Sequence, residues 1–254
     1  MTGAAATATT GTAATTSVRE PDRTGPVPPA ALWRRAIAEA VGTALLMTAI
    51  VGSGIAATRL TPGDTGLQLA YNSATVAVAL AVIIAVFAPL SGAHLNPAVT
   101  LIGWLSARRA PGTAATAGAY LAAQLTGAVA GAALGNAMFE LPAVAVSATT
   151  RDGAGQWLGE VVATAGLVLV IGALSRTGAT RAIPLAVGGW IGAAFWFTAS
   201  TSFANPAVTV GRMLTDSFSG IAPASAPGFI AAQLAGAALG AGLVSLLWPA
   251  KERP

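Results

Sequence analysis

Five residues, Asn96-Pro97-Ala98-Val99-Thr100, recur unchanged as Asn205-Pro206-Ala207-Val208-Thr209, 109 positions downstream. No other feature restricts the fold so tightly. Asparagine before proline marks a helix start, because Asn caps, Pro suits the first helical position, and proline biases its predecessor away from helix. Both copies nonetheless lie beside long apolar runs, where a helix should not begin midway through a bilayer without reason. A pore supplies the reason. Two short helices entering from opposite sides, N-termini facing near the midplane, place irregular backbone where it lines a cavity rather than lipid.

Composition sets the same class. Of 254 residues, 54% are hydrophobic and 9% charged, against roughly 25% charged in soluble domains, so the chain is an integral membrane protein. The net charge of +4 is then a matter of topology and not a nucleic-acid signal. The chain has no cysteine, which excludes disulfides and thiolate metal sites. No nucleophile–base pair, phosphate loop or metal-ligand cluster stands out, so neither an enzyme nor a cofactor is expected.

Residues 1–31 are rich in Thr, Ala, Gly and Pro with scattered charges, a composition that cannot bury a core and predicts a disordered tail without a secretory signal. Six apolar spans follow within a channel domain over 32–250, at about 34–57, 67–89, 113–137, 156–175, 182–200 and 228–248. Asn96–Leu105 and Asn205–Leu214 remain, each about 15 Å of helix, half of the ~30 Å hydrocarbon core. The predicted fold class is an all-α membrane protein with six transmembrane helices plus two re-entrant half-helices in an inverted repeat.

The repeat, about 34–137 against 156–248, is legible beyond the duplicated motif. Gln124 and Gln233 are also 109 apart, and Glu39 with Thr43 parallels Glu160 with Thr164. Three spans per repeat is an odd number, so the second half is inverted. With the N-terminus inside, ten of the thirteen Lys and Arg residues fall on cytoplasmic segments, leaving Arg59, Arg151 and Arg212 at or near the outer face. Both termini are therefore expected in the cytoplasm. Gly127 with Gly131, and Gly236 with Gly240, predict close contacts within the subunit, between half-helices and spans. Trp190 and Trp196 fit packing or membrane-belt roles equally.

The segments SGAHLNPAVT and FANPAVT, placed in a six-span inverted repeat, strongly resemble the aquaporin (major intrinsic protein) family over about residues 34–248. The resemblance implies a homotetramer in the plasma (inner) membrane, with one pore per subunit passing water or small neutral solutes such as glycerol. Asn96, Pro97, Ala98, Asn205, Pro206 and Ala207 are then the pore motif. Facing helix N-termini, each carrying about half a positive charge, would oppose cations, while the asparagine amides donate to a passing oxygen. The matching glutamates of the family support the re-entrant loops, which gives that role to Glu39 and Glu160. An ion-coupled carrier using these two carboxylates is the competing reading. Gln124 and Gln233 are loop support by the same resemblance, and His94, without a second ligand nearby, is a hydrogen-bonded loop residue lining the cytoplasmic half-channel.

Most family members follow the second Asn-Pro-Ala with an arginine that narrows the outer pore; here Val208 stands there. Gapless transfer gives Val76, Ala193 and Ser202 as the other three filter residues, a set without aromatic, histidine or arginine. It predicts a wider, weakly polar constriction. The segment WFTASTSFANPAVTVGRMLTDSFSGI (196–221) looks like a bacterial branch associated with arsenic resistance, which implies arsenite, an uncharged polyol mimic, and methylated arsenicals as solutes. A water or glycerol channel without an arsenic role is the alternative. Arg212, one turn beyond Val208, is expected at the pore mouth with its guanidinium wet, partly replacing the missing arginine or pairing with Asp216.

Overall fold

In a computed structural model residues 1–3, 30–107 and 112–249 are described, and every element among them is helical. The predicted tail lies almost wholly outside the described residues, as do Arg108, Arg109 and Lys251. Among the described residues, five helices are long and apolar enough to cross a membrane: α1 (Leu32–Leu60), α2 (Thr65–Ser91), α4 (Thr113–Ala137), α5 (Ala154–Thr177) and α8 (Ala226–Leu247). Between them lie α3 (Pro97–Ala107), α6 (Ile183–Phe197) and α7 (Pro206–Arg212). Val78, Val82 and Val86, at four-residue steps on α2, point outward with more than half their surface exposed, as a bilayer-facing stripe requires.

The fifth predicted span, 182–200, is shorter than expected. Helix α6 has 15 residues, about 22 Å, preceded by a 3-10 turn at Thr180–Ala182. Thr198 leaves the helix in extended conformation, its hydroxyl capping the Ala194 carbonyl at 2.7 Å. The residues beyond it belong to the second re-entrant loop. Helix α7 is also short, seven residues instead of ten. The Met213 and Leu214 carbonyls accept from Ser147 and Ala145 N–H groups, both at 3.0 Å, and Asn136 adds a bond to Leu214 O at 3.1 Å. Those bonds to the end of α4 and the α4–α5 loop replace the last helical turn.

The packing has a two-fold logic. Helix α1 packs on α4 as α5 packs on α8; α3 touches α4 and α8, and α7 touches α8 and α4; α2 meets α6, and α3 meets α7. Glycines set the closest approaches. A Cβ at Gly127 or Gly131 would strike the carbonyls of Ala40 or Ala44, and one at Gly236 or Gly240 those of Val161 or Ala165. These contacts are within the subunit but join full spans, α4 to α1 and α8 to α5. The expected half-helix partner is corrected accordingly, since backbones crossing this closely need spans of matching length. Helix α7 approaches α4 instead through Gly211, whose Cβ position lies 2.9 Å from Ala128 O. Gly236→Ala is expected to destabilise the folded protein by about 1–3 kcal/mol, because backbone rather than a flexible side chain must yield. A thermal-unfolding series in detergent checks it, with Gly242→Ala, which meets nothing within 4 Å, as the neutral control.

Candidate functional site

The duplicated motif builds the centre as its chemistry dictates. Asn205 is extended (φ −158°, ψ 113°), and its Oδ1 accepts from Ala207 N at 2.9 Å and Val208 N at 3.2 Å, capping α7. Asn96 Oδ1 accepts from Ala98 N at 2.9 Å at the head of α3. The amide nitrogens then cross. Asn96 Nδ2 donates to Ala204 O at 2.7 Å, and Asn205 Nδ2 donates to Leu95 O at 2.8 Å. Each amide has two N–H donors, so the crossed bond uses one and leaves one for a solute. Both asparagines line a cavity of about 490 Å³ that draws residues from both repeats.

Two buried glutamates hold the loops that deliver these asparagines. Glu39 Oε1 accepts from Ser91 Oγ at 2.6 Å and His94 N at 2.9 Å, and its Oε2 from Leu95 N at 2.6 Å and Gln124 Nε2 at 2.8 Å. Glu160 repeats the scheme: Phe203 N at 2.8 Å, Ala204 N at 2.9 Å and Gln233 Nε2 at 2.6 Å. Gln124 and Gln233 each also donate at 2.9 Å to a half-helix threonine, Thr100 and Thr209. Loop conformation explains why such anchors are needed. Ala93, Leu95, Ser202 and Ala204 all have φ between 47° and 50°, a region costing an L-residue roughly 1–2 kcal/mol. Both carboxylates are fully buried, and neither lines the cavity.

His94 does line the cavity, with Nδ1 3.1 Å from Thr100 Oγ1 and its ring edge-on to Tyr120. Tyr120 and Arg35 are supports that sequence reasoning missed. The Tyr120 hydroxyl donates to Ser91 O at 2.6 Å and accepts from Arg35 Nε at 2.9 Å. Ser91 and Ser200, whose hydroxyls accept from Ala93 N at 3.0 Å and Ser202 N at 3.2 Å, were legible in principle, being 109 apart like the asparagines. Trp190 is a packing residue, its Nε1 donating to Ala163 O at 2.9 Å over Gly166. Trp196 is half-exposed and donates to Ser73 Oγ at 3.0 Å.

Of the four transferred filter residues, Val76, Ser202 and Val208 line the cavity, each 2% exposed. Ala193 does not. It is exposed on the outer side of α6, whose cavity face is Ile183, Val187, Ile191 and Phe195. Those four recur every fourth residue, so a position midway between Ile191 and Phe195 turns away. Phe195 and Phe203 both line the cavity, so the lining is not free of aromatics. Nor is it free of arginine. Arg212 is 2% exposed and lines the cavity instead of extending into a wet mouth. Its Nε donates to Ser219 O, and its guanidinium carbon lies 3.4 Å from the Phe203 ring centroid. Asp216 is occupied elsewhere, accepting from Ala148 N at 3.1 Å. The stacked ring, which offers a cationic plane a favourable face, is what draws the side chain inward.

A profile of the major intrinsic protein family matches residues 28–201 and 175–253. The chain belongs to the major intrinsic protein family. It is similar to the aquaglyceroporin AqpS of Rhizobium meliloti (strain 1021), at 49% identity over 221 residues, 87% of this chain and 93% of that protein. Its fold is similar to the X-ray structure of the aquaglyceroporin from Plasmodium falciparum, with a TM-score of 0.63 and 25% identity over 85% of this chain and all of the other. Aquaglyceroporins of the family are channels and not enzymes, and this member is a multi-pass membrane protein.

Proposed function

We propose that the protein is a passive channel for small uncharged solutes, with arsenite, related metalloids and methylated arsenicals joining glycerol-like polyols and water as permeants. The observation that carries the reading is the crossed pair of asparagine amides, each with one N–H left for a solute inside a cavity lined by both repeats. A neutral oxygen-bearing solute can exchange hydrogen bonds with water for bonds to Asn96 and Asn205 as it passes. Val208 supports the wider substrate range, being a short apolar side chain where most relatives narrow the pore with arginine. The similarity to a protein named an aquaglyceroporin supports the polyol class. The channel acts as a homotetramer in the inner membrane with both termini cytoplasmic, a topology supported by the distribution of Lys and Arg.

Stopped-flow light scattering on proteoliposomes, with water, glycerol and arsenite gradients, tests the reading. Glycerol and arsenite should equilibrate and never accumulate. Uptake against a gradient, following an imposed proton or sodium gradient, would replace the channel with a carrier. Glycerol flux without arsenite flux would leave the water and glycerol channel and remove the metalloid role.

A further inference from the structure

The two sides of the cavity differ where the repeat spacing predicts a match. Arg212, the last residue of α7, lines the cavity, and the residue 109 positions before it is Gly103, which lines the cavity as well. The α7 side therefore carries a long cationic side chain that the α3 side lacks. Such a side chain at a helix end ordinarily extends to water, and the cost of burying its charge favours that escape. Arg212 is nevertheless 2% exposed. Its neighbours hold it in.

The guanidinium stacks on the Phe203 ring at 3.4 Å, Nε donates to Ser219 O, and the Glu160 carboxylate attracts the charge. The ring is fixed in turn, by the Phe203 N bond to Glu160 and by Phe229 set edge-on at 5.0 Å. The Ser219 carbonyl is fixed by an arginine that does not line the cavity. Arg151, on the α4–α5 loop, donates from Nε to Gly220 O at 2.8 Å and from Nη2 to Phe218 O at 3.2 Å. It thus takes the carbonyls on either side of the one that Arg212 uses. The Arg151 backbone is anchored as well, its N–H donating to Ser225 Oγ at 3.1 Å. Ser219 Oγ, donating to Ile50 O at 2.9 Å, ties the same turn to α1. Glu160 attracts Arg151 too, and the two guanidiniums repel each other. One carboxylate therefore serves both cations, and separate carbonyls keep them apart.

We propose that Arg151 is a positioning residue for the pore: its two-carbonyl grip on the 218–220 turn presents Ser219 O to Arg212 and so keeps the Arg212 guanidinium in the lumen, one turn beyond Val208. The loop that joins the repeats occurs once, so this device has no twin on the α3 side. Without the grip the Ser219 carbonyl turns away, the Arg212 side chain moves out to water, and the lumen widens. The inference rests on the channel reading.

The width is read with two neutral polyols, glycerol and the longer xylitol, as permeabilities of proteoliposomes by stopped-flow light scattering. Arg151→Gln, with folding checked by size exclusion, should raise the xylitol-to-glycerol ratio about threefold or more, and so should Arg212→Ala. Adding Arg151→Gln to Arg212→Ala should change the ratio no further, because the residue it positions is gone. Arg151→Lys keeps the charge but replaces the planar fork with a compact head. It should raise the ratio like Arg151→Gln, and it carries the test if that variant does not fold. A merely structural role would lower the yield of folded channel and leave the ratio at its wild-type value. A wild-type ratio in either folded Arg151 variant overturns the proposal, as does an equal rise when Arg151→Gln is added to Arg212→Ala; both leave the channel standing. Absence of glycerol flux in the wild type overturns the channel reading itself.

Discussion

Replacing Val208 with arginine is expected to cut glycerol and arsenite flux by about tenfold or more while reducing water flux far less. Val208 is 2% exposed, lines the cavity and packs in the cluster that holds Val76, Ile191 and Phe195. An arginine cannot stay in that apolar packing, so its side chain must extend into the lumen. Arg212, four residues on and about 40° around the helix, already places a guanidinium there. Two like charges on one face cost a few tenths of a kcal/mol in a helix and more when desolvated. The lumen therefore loses width and gains a charge that a polyol must pass in single file. A tenfold loss corresponds to about 1.4 kcal/mol of added barrier. Stopped-flow permeabilities per folded channel decide the matter. Equal losses for water, glycerol and arsenite would show that Val208 does not set the size limit, and the metalloid reading would lose its main physical support.

The parts of this site that were legible from sequence are those with a local chemical signature or a partner at the repeat spacing. Asn-Pro-Ala states its own cap geometry, and the paired glutamates and glutamines announced themselves by recurring. The short sixth helix had a signal too. Glu39 precedes Asn96 by 57 residues, whereas Glu160 precedes Asn205 by only 45, and α2 exceeds α6 by the same twelve, 27 against 15. What stayed hidden was the face that α6 turns inward. Ile183–Phe197 is apolar all round, so periodicity marks no lumen side, and gapless transfer of the family's filter positions gives Ala193. The inward path of Arg212 was hidden for a different reason. Helix geometry put it on the Val208 face, but its direction depends on the Phe203 ring, which Glu160 fixes from another helix. Arg151, on the α4–α5 loop, reaches the same ring by a contact no local pattern encodes.

Glu160→Gln is expected to lower the stability of the folded protein by about 2–4 kcal/mol, from lost hydrogen bonds to a charged group and unpaired buried donors. The carboxylate is fully buried and acceptor-only, with Phe203 N, Ala204 N and Gln233 Nε2 all donating to it. A glutamine keeps one acceptor oxygen and substitutes an NH2 group for the other. Whichever way it turns, a donor then faces a donor. The loop cannot simply move away, because Thr201, Ser202 and Ala204 are held at positive φ by these bonds, and Ala204 O is the acceptor for Asn96 across the pore. Release of the loop therefore loosens the central asparagine pair as well as the fold. Adding Gln233→Glu to the variant should recover part of the loss, since the new carboxylate can accept from the introduced amide and turn that amide's oxygen toward the loop. Thermal unfolding in detergent gives the stability change, and flux per folded channel at several pH values gives the function. A support role requires reduced stability with a flux that does not follow an imposed proton gradient. Full stability in Glu160→Gln, with loss of a proton-driven uptake seen in the wild type, would make Glu160 a proton carrier and end the channel account.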